Sequence, residues 1–266
     1  MAAFDQKGFI IDLDGTVYLQ DKLIPGAVEA INQLYEKGHK ICFLTNNPTK
    51  QNSAYYHKLK DMGIKTVKED ILSGTYLSAL FLKRNMQEGD LFWSEGEDAL
   101  TFELKAAGLP MASSPEMASK AVLGGGPSFS FDYLNNMVQA YLSGAEIYAV
   151  NPDPSCPVEN QLIPDTGAWV AAMHSLMAEG EKIEIIGKPS KNAAETVIQY
   201  LNLPPEKCFV IGDRMETDIL MAQDFGMNSI LVLSGVTKKE DLLTEKKIKP
   251  DYVLTDISEL SNLKIV

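Results

Sequence analysis

Asp12 and Asp14 stand two residues apart, directly after the apolar run Phe9-Ile10-Ile11 and directly before Gly15-Thr16. Two carboxylates brought together repel one another, and one pKa rises unless a cation or a proton sits between them. Such a pair can belong to an active site. If the run is a strand, residues i and i+2 share a face, and the two carboxylates converge near its end. Gly15 lets the chain turn sharply, and Thr16 adds a hydroxyl. The same residues also describe a strand closed by an ordinary Asp-Gly turn. Taken alone, the stretch leaves both readings open.

Three more polar clusters have a similar setting. Thr45-Asn46-Asn47-Pro48 follows the run Ile41 to Leu44. A hydroxyl, an amide and free N–H groups at a helix start suit a phosphate oxygen, although Thr and Asn are also favoured caps. Gly187-Lys188-Pro189-Ser190 precedes a helical segment. A lysine there is most often a surface residue, but facing a pocket it sets a compact positive charge beside a phosphoryl group. Gly212-Asp213-Arg214-Met215-Glu216-Thr217-Asp218 follows Phe209 to Ile211, so Asp213 stands to its strand as Asp12 does to the first. Its hard oxygens could complete a Mg²⁺ site, or Asp213 or Thr217 could cap a helix. Jointly the four clusters fall at the ends of strands or the starts of helices, where open α/β sheets bind ligands.

The elements that must hold these clusters alternate along the chain. Strands are expected at Phe9 to Leu13, Lys40 to Leu44 and Asp70 to Ser73, with helices at 26–37, 50–62 and 75–83. In the first helix Ala27, Ile31, Leu34 and Tyr35 recur at helical spacing. The pattern resumes with strands at 182–186, 207–211, 229–233 and 252–254 and helices at 190–201, 216–225 and near Ser258. Strands and helices in this rhythm mean βαβ units and a doubly wound parallel sheet. Between the halves, strands at 91–93, 120–123 and 146–150 and helices at 97–107, 131–143 and 167–178 describe a smaller α/β domain inserted into the first. The expected division is a discontinuous core, 1–83 with 181–266, and an insert, 84–180.

Apolar residues make up 45% of the 266 and charged residues 23%, an ordinary globular balance. A formal net charge of −12 argues against nucleic acid and anionic membranes as partners. An acidic chain still binds an anionic substrate where a metal, a lysine or helix N-termini reverse the field locally. Cys42, Cys156 and Cys208 are odd in number and far apart, with no zinc spacing. Cys42 and Cys208 lie in apolar runs and read as core. With no signal peptide or membrane span indicated, the expected setting is the cytoplasm. His39, His57 and His174 are expected to lack partners, and Trp93 and Trp169 to pack in the insert's core.

Through Asp12-Leu13-Asp14-Gly15-Thr16, Thr45-Asn46-Asn47, Lys188 and Gly212-Asp213 to Asp218, the chain resembles the haloacid dehalogenase superfamily of phosphatases over essentially its full length. The insert, Gly187-Lys188-Pro189-Ser190 and Asn151-Pro152-Asp153 resemble the NagD-like branch with a C2-type cap. Asp165, where that branch usually has glycine, and the glycine-rich Gly124-Gly125-Gly126-Pro127 depart from its pattern, both within the cap.

The resemblance implies a Mg²⁺-dependent phosphomonoester hydrolase working through an aspartyl-phosphate. Asp12 is then the nucleophile and Asp14 the acid and base. The metal is held by the Asp12 carboxylate, the Asp14 carbonyl and Asp213, with Asp218 behind them. Thr45, Asn46 and Lys188 grip the phosphoryl oxygens. A small phosphorylated metabolite such as a sugar phosphate is the expected substrate, p-nitrophenyl phosphate a surrogate, and a nucleoside monophosphate the alternative. Rival activities are a phosphoryl-transfer mutase, cleavage of a carbon–halogen or carbon–phosphorus bond, and a phospho-acceptor signalling module. Asp14 disfavours dehalogenation, which has no alkoxide to protonate. The large insert and the second aspartate disfavour the signalling module. Asn151 to Pro164 is expected to be a polar, proline-stiffened loop facing the substrate, with Cys156 a bystander in it. Oligomeric state is open, with a homodimer through the cap as one arrangement.

Overall fold

The computed structural model describes residues 5–158 and 161–263. β1 (Gly8–Ile11) leads into a small antiparallel ribbon, β2 (Tyr18–Leu19) with β3 (Lys22–Leu23). Then come α1 (Ala27–Glu36), β4 (Lys40–Thr45), α2 (Asn52–Asp61), β5 (Ile71–Ser73) and α3 (Gly74–Arg84). The middle holds β6 (Phe92–Glu95), α4 (Asp98–Ala106), β7 (Lys120–Leu123), α5 (Phe131–Leu142) and β8 (Glu146–Ala149). A ribbon of β9 (Ser155–Val158) and β10 (Gln161–Pro164) and helix α6 (Thr166–His174) follow. The chain closes with β11 (Glu184–Ile185), α7 (Lys191–Leu201), β12 (Cys208–Gly212), α8 (Leu220–Asp224), β13 (Asn228–Val232), α9 (Asp241–Thr244) and β14 (Tyr252–Leu254). Among the described residues no helix is long and apolar enough to cross a membrane.

The chain forms two compact units, one of Met1–Thr45, Tyr56–Leu72 and Pro189–Val266, the other of Asn46–Tyr55 and Ser73–Lys188. The second unit thus contains all of 84–180 together with shorter stretches on either side.

In the first unit the sheet order is β14-β13-β12-β1-β4-β5, and the pairs β1 with β4, β1 with β12, β12 with β13 and β13 with β14 are parallel. All four residues of β1 are buried, as befits a central strand covered on both faces. The chain winds outward from β1 to β5 and returns on the other side at β12, so the order reverses beside β1. That reversal opens a crevice at the carboxyl ends of β1 and β12, the place where such sheets bind ligands.

Just before β5, the edge strand, buried Asp70 collects four hydrogen bonds. Its carboxylate accepts from Tyr35 Oη at 2.6 Å, Tyr200 Oη at 2.7 Å, Thr66 Oγ1 at 3.1 Å and the Val67 N–H at 3.1 Å. Burial, and then the Asp70 carboxylate, push both tyrosine hydroxyls far above the ordinary phenol range, so they stay donors. Asp70→Ala strands these donors and is expected to cost about 2–4 kcal/mol. Urea unfolding checks this, with a loss below about 0.5 kcal/mol showing the network to be decorative.

The second unit has its own four-stranded parallel sheet, β11-β8-β7-β6. Ala121, Leu123, Met137, Ile147, Val170 and Met173 form its core, with Trp93 and Trp169 packed against it as expected. Trp169 stacks on Phe129 with ring centroids 3.9 Å apart.

Three expectations need correction here. The strand expected at 182–186 among the returning core strands is shorter, and β11 pairs with β8 in the second unit's sheet. Sequence periodicity does not say which sheet a parallel strand joins. The loop expected at 151–164 is largely the β9–β10 ribbon, in which Ser155 pairs with Pro164 and Cys156 with Ile163; its residues 159–160 lie outside the described part. Proline is tolerated there because a two-stranded ribbon is all edge. His39 is not solitary, since its Nδ1 accepts the Lys7 N–H at 3.3 Å and its ring meets Phe9 edge-on. The unusual Asp165 caps α6, accepting the Thr166 N–H at 2.6 Å. Gly125 donates its N–H to Thr166 Oγ1 at 2.7 Å, so a side chain at Gly125 would drive into the Asp165-Thr166 turn.

Candidate active site

Strand β1 stops at Ile11, and its ladder to β12 ends with the Asp12 N–H donating to Ile211 O at 2.8 Å. The chain then turns about Leu13, whose carbonyl accepts the N–H groups of Val17 at 2.8 Å and Thr16 at 3.2 Å. Asp12 and Asp14 therefore lie just past the end of β1 rather than within it. Asp12 is buried and Asp14 half-buried. Thr16 is fully buried, and among the described residues its Oγ1 has no hydrogen-bond partner.

Asp12 is brought together with Asp213 and Asp218. One carboxylate oxygen of each lies within 4.8 Å of the others, and all three residues are buried. Asp14 is not a member of this cluster. Asp213 follows β12, the strand beside β1. Asp218 returns to the same place because Met215–Ile219 winds as a π-helix, where a regular helix was expected from 216. That wide turn lets Asp218 Oδ2 fold back to accept the Arg214 N–H at 3.2 Å. π-turns recur at functional sites for this kind of re-aiming.

Glycines make room for the carboxylates. Gly15 has φ +89°, open to glycine at little cost, and a Cβ there would collide with the Asp213 carboxylate. A Cβ on Gly212 would overlap Asp218, and one on Gly235 would overlap Asp213 Oδ2.

Sequence reasoning missed the loop after β13. Ser234 Oγ donates to Gly15 O at 2.6 Å, the Val236 N–H to Asp213 Oδ2 at 2.6 Å and the Thr237 N–H to Asp213 O at 3.1 Å. Val236 and Thr237 thus hold Asp213, and Ser234 ties the same loop to Gly15. Its signal was the one used elsewhere, a polar and glycine-bearing cluster just past an apolar strand.

Three ionised carboxylates buried within 4.8 Å of one another are unfavourable without a cation or protons among them. The donor set is all oxygen, with neither histidine nor cysteine, which fits a hard divalent ion such as Mg²⁺ rather than zinc. Thr45, the last residue of β4, is buried in the same unit.

The second unit contains Asn46 and Lys188, both buried. The Asn46 carboxamide was expected to face a phosphate oxygen, but it is spent on the protein. Its Nδ2 donates to Lys188 O at 3.0 Å and Asp153 Oδ2 at 3.1 Å, and its Oδ1 accepts the Lys188 N–H at 2.9 Å. Ser190, next to this segment in sequence, caps α7 by accepting the Ala193 N–H at 3.1 Å.

A sequence profile described as haloacid dehalogenase-like hydrolase matches residues 9–110, and one described as HAD-hydrolase-like matches 185–260. The chain is 36% identical over 256 residues to the sugar-phosphatase AraL of Bacillus subtilis, covering 96% of this chain and 92% of that one. The fold superposes on a p-nitrophenyl phosphatase from Archaeoglobus fulgidus with a TM-score of 0.90 at 31% identity, covering 97% and 100% of the two chains. NagD from Escherichia coli gives 0.85 at 26% identity, covering 98% and 99%. A Mycobacterium tuberculosis glycerol phosphate phosphatase in complex with magnesium gives 0.86 at 28%, covering 96% and 76%. With strand-end carboxylates on a parallel sheet and relatives matched nearly end to end, the chain belongs to the haloacid dehalogenase-like hydrolases, in the NagD-like branch.

Proposed function

We propose that this phosphomonoester hydrolase acts on small phosphorylated metabolites through a covalent aspartyl-phosphate on Asp12. The observation that carries the reading is the buried Asp12, Asp213 and Asp218 cluster at the ends of β1 and β12. In the first half-reaction an Asp12 oxygen attacks phosphorus in line with the leaving alkoxide, which takes the Asp14 proton. In the second, Asp14, now a carboxylate, removes a proton from water. That water attacks phosphorus, releases inorganic phosphate and restores Asp12.

Mg²⁺, when bound, neutralises charge so that an anionic nucleophile can approach an anionic phosphoryl group. Asp12, Asp213 and the Asp14 carbonyl are its proposed ligands. Asp218 is the group behind them, and its nearness to both carboxylates makes direct ligation an equal fit. The Thr45 hydroxyl, the Asn46 main-chain N–H and the Lys188 ammonium are assigned to the phosphoryl oxygens. Residues 84–180 are assigned as the cap that excludes water and selects the leaving group. The buried thiols of Cys42 and Cys208 suit a reducing compartment, the cytoplasm.

Phosphate release is to be measured over sugar phosphates, glycerol phosphate, nucleoside monophosphates and p-nitrophenyl phosphate, with Mg²⁺ and with EDTA. Turnover of sugar-type substrates with Mg²⁺ and its loss in EDTA are expected. Preference for nucleoside monophosphates would replace the substrate class. Absence of turnover across the set with Mg²⁺ would sink the reading.

A further inference from the structure

Within the second unit, Asn151 and Asp153 lie just past the end of β8 and grip Asn46 from two sides. Asn151 Nδ2 donates to the Asn46 carbonyl at 2.8 Å, and Asp153 Oδ2 accepts from Asn46 Nδ2 at 3.1 Å. Asn151 Oδ1 accepts the Asp153 N–H at 2.9 Å, which fixes the two gripping residues to each other. Asn46 in turn holds both polar groups of the Lys188 main chain, as a neighbouring strand would. The preceding peptide is held separately, with the Gly187 N–H donating to Val150 O at 2.8 Å. Asn46, Asn151, Asp153 and Lys188 are all buried, so none of these bonds is traded cheaply for water.

A carboxamide has two faces of opposite polarity and nearly equal shape. Turned over, Asn46 would set its oxygen against the Asp153 carboxylate and the Lys188 carbonyl and its NH₂ against the Lys188 N–H, so that like groups would meet at all three contacts. An ionised carboxylate only accepts, so Asp153 allows a single orientation. We infer that Asp153 is a positioning residue for Lys188: it fixes the Asn46 carboxamide in the orientation that holds the Lys188 peptide. An asparagine at 153 presents either an acceptor or a donor, so it leaves the orientation to the Lys188 peptide alone while keeping size and shape. The catalytic consequence rests on the proposed contact of Lys188 with the phosphoryl group, whereas the positioning itself does not.

Asp153→Asn tests the inference by amide hydrogen exchange and by kinetics. Exchange at the Lys188 N–H, bonded to Asn46, is expected to quicken by about tenfold or more. Exchange at the Gly187 N–H, bonded to Val150 O, is expected to stay as it is. With the fold confirmed by an unaltered Gly187 rate, kcat/KM for p-nitrophenyl phosphate with Mg²⁺ should fall roughly 10–100-fold, the scale for supporting partners of site groups. Asp153→Glu, which keeps the acceptor, should retain more Lys188 protection than Asp153→Asn. An unchanged Lys188 exchange rate in Asp153→Asn overturns the inference, and so does an equal acceleration at Gly187, which marks general loosening. If Lys188 exchange quickens while turnover is untouched, the positioning stands and the assignment of Lys188 to phosphate fails.

Discussion

Asp12→Asn is expected to turn over p-nitrophenyl phosphate roughly 10⁴–10⁶-fold more slowly than the native chain, the scale of loss when a covalent catalytic unit loses its nucleophile. A carboxamide oxygen carries no full negative charge, and the substitution also takes one acceptor from the Asp12, Asp213 and Asp218 cluster. The same change should help folding when no divalent ion is present. Asp12 is buried with two other carboxylates, and asparagine of equal size relieves the repulsion among them. In EDTA, therefore, Asp12→Asn should melt at or above the native temperature while being inactive in Mg²⁺. Opposite signs for stability and activity separate a lost nucleophile from a damaged fold. A variant keeping more than about a tenth of native kcat with Mg²⁺ would remove Asp12 from the nucleophilic role. Mass spectrometry after a rapid acid quench gives an independent reading, since the native chain in turnover should carry one added phosphoryl group and the variant none.

Much of this arrangement was legible because parallel strands buried on both faces announce themselves as apolar runs. The polar residues that end those runs then fall at one edge of the sheet. β7 and β14 match their expected limits, and Asp12 and Asp213 could be paired by analogy before the adjacency of β1 and β12 was known. What escaped depends on which segments meet far apart in sequence. Glu184–Ile185 has strand character for either sheet, and only Tyr148 and Ala149 across from it decide the matter. The Asn46 carboxamide looked available because its partners lie 107 and 142 residues away. The loop 234–237 was overlooked because two of its three bonds to the site come from main-chain N–H groups, which leave no mark on side-chain identity. The π-turn at 215–219 is a local backbone choice that helical periodicity does not encode.

The second large effect concerns the ion. Folding buries three carboxylates together, so a cation that binds only the folded chain should stabilise it by RT ln(1 + [Mg²⁺]/Kd), about 2.7 kcal/mol at a hundredfold excess over Kd. In a chain of 266 residues this corresponds to a rise in melting temperature of several degrees. Calorimetry with Mg²⁺ against EDTA should show that rise, and Ca²⁺ should give one too because the donors are hard oxygens. Asp213→Asn should abolish most of the Mg²⁺-dependent rise and lower kcat by about 10²-fold or more, since Asp213 is nearly fully buried and belongs to the cluster. Gly235→Ala provides the sharper test, because it changes no charge and no donor. Its added Cβ would overlap Asp213 Oδ2 while the Val236 N–H still holds that oxygen from the same loop, so the carboxylate must leave its place. Gly235→Ala should therefore weaken the Mg²⁺-dependent rise and turnover together while leaving the melting temperature in EDTA within about two degrees of native. A native response to Mg²⁺ in both variants would mean that the ion binds elsewhere.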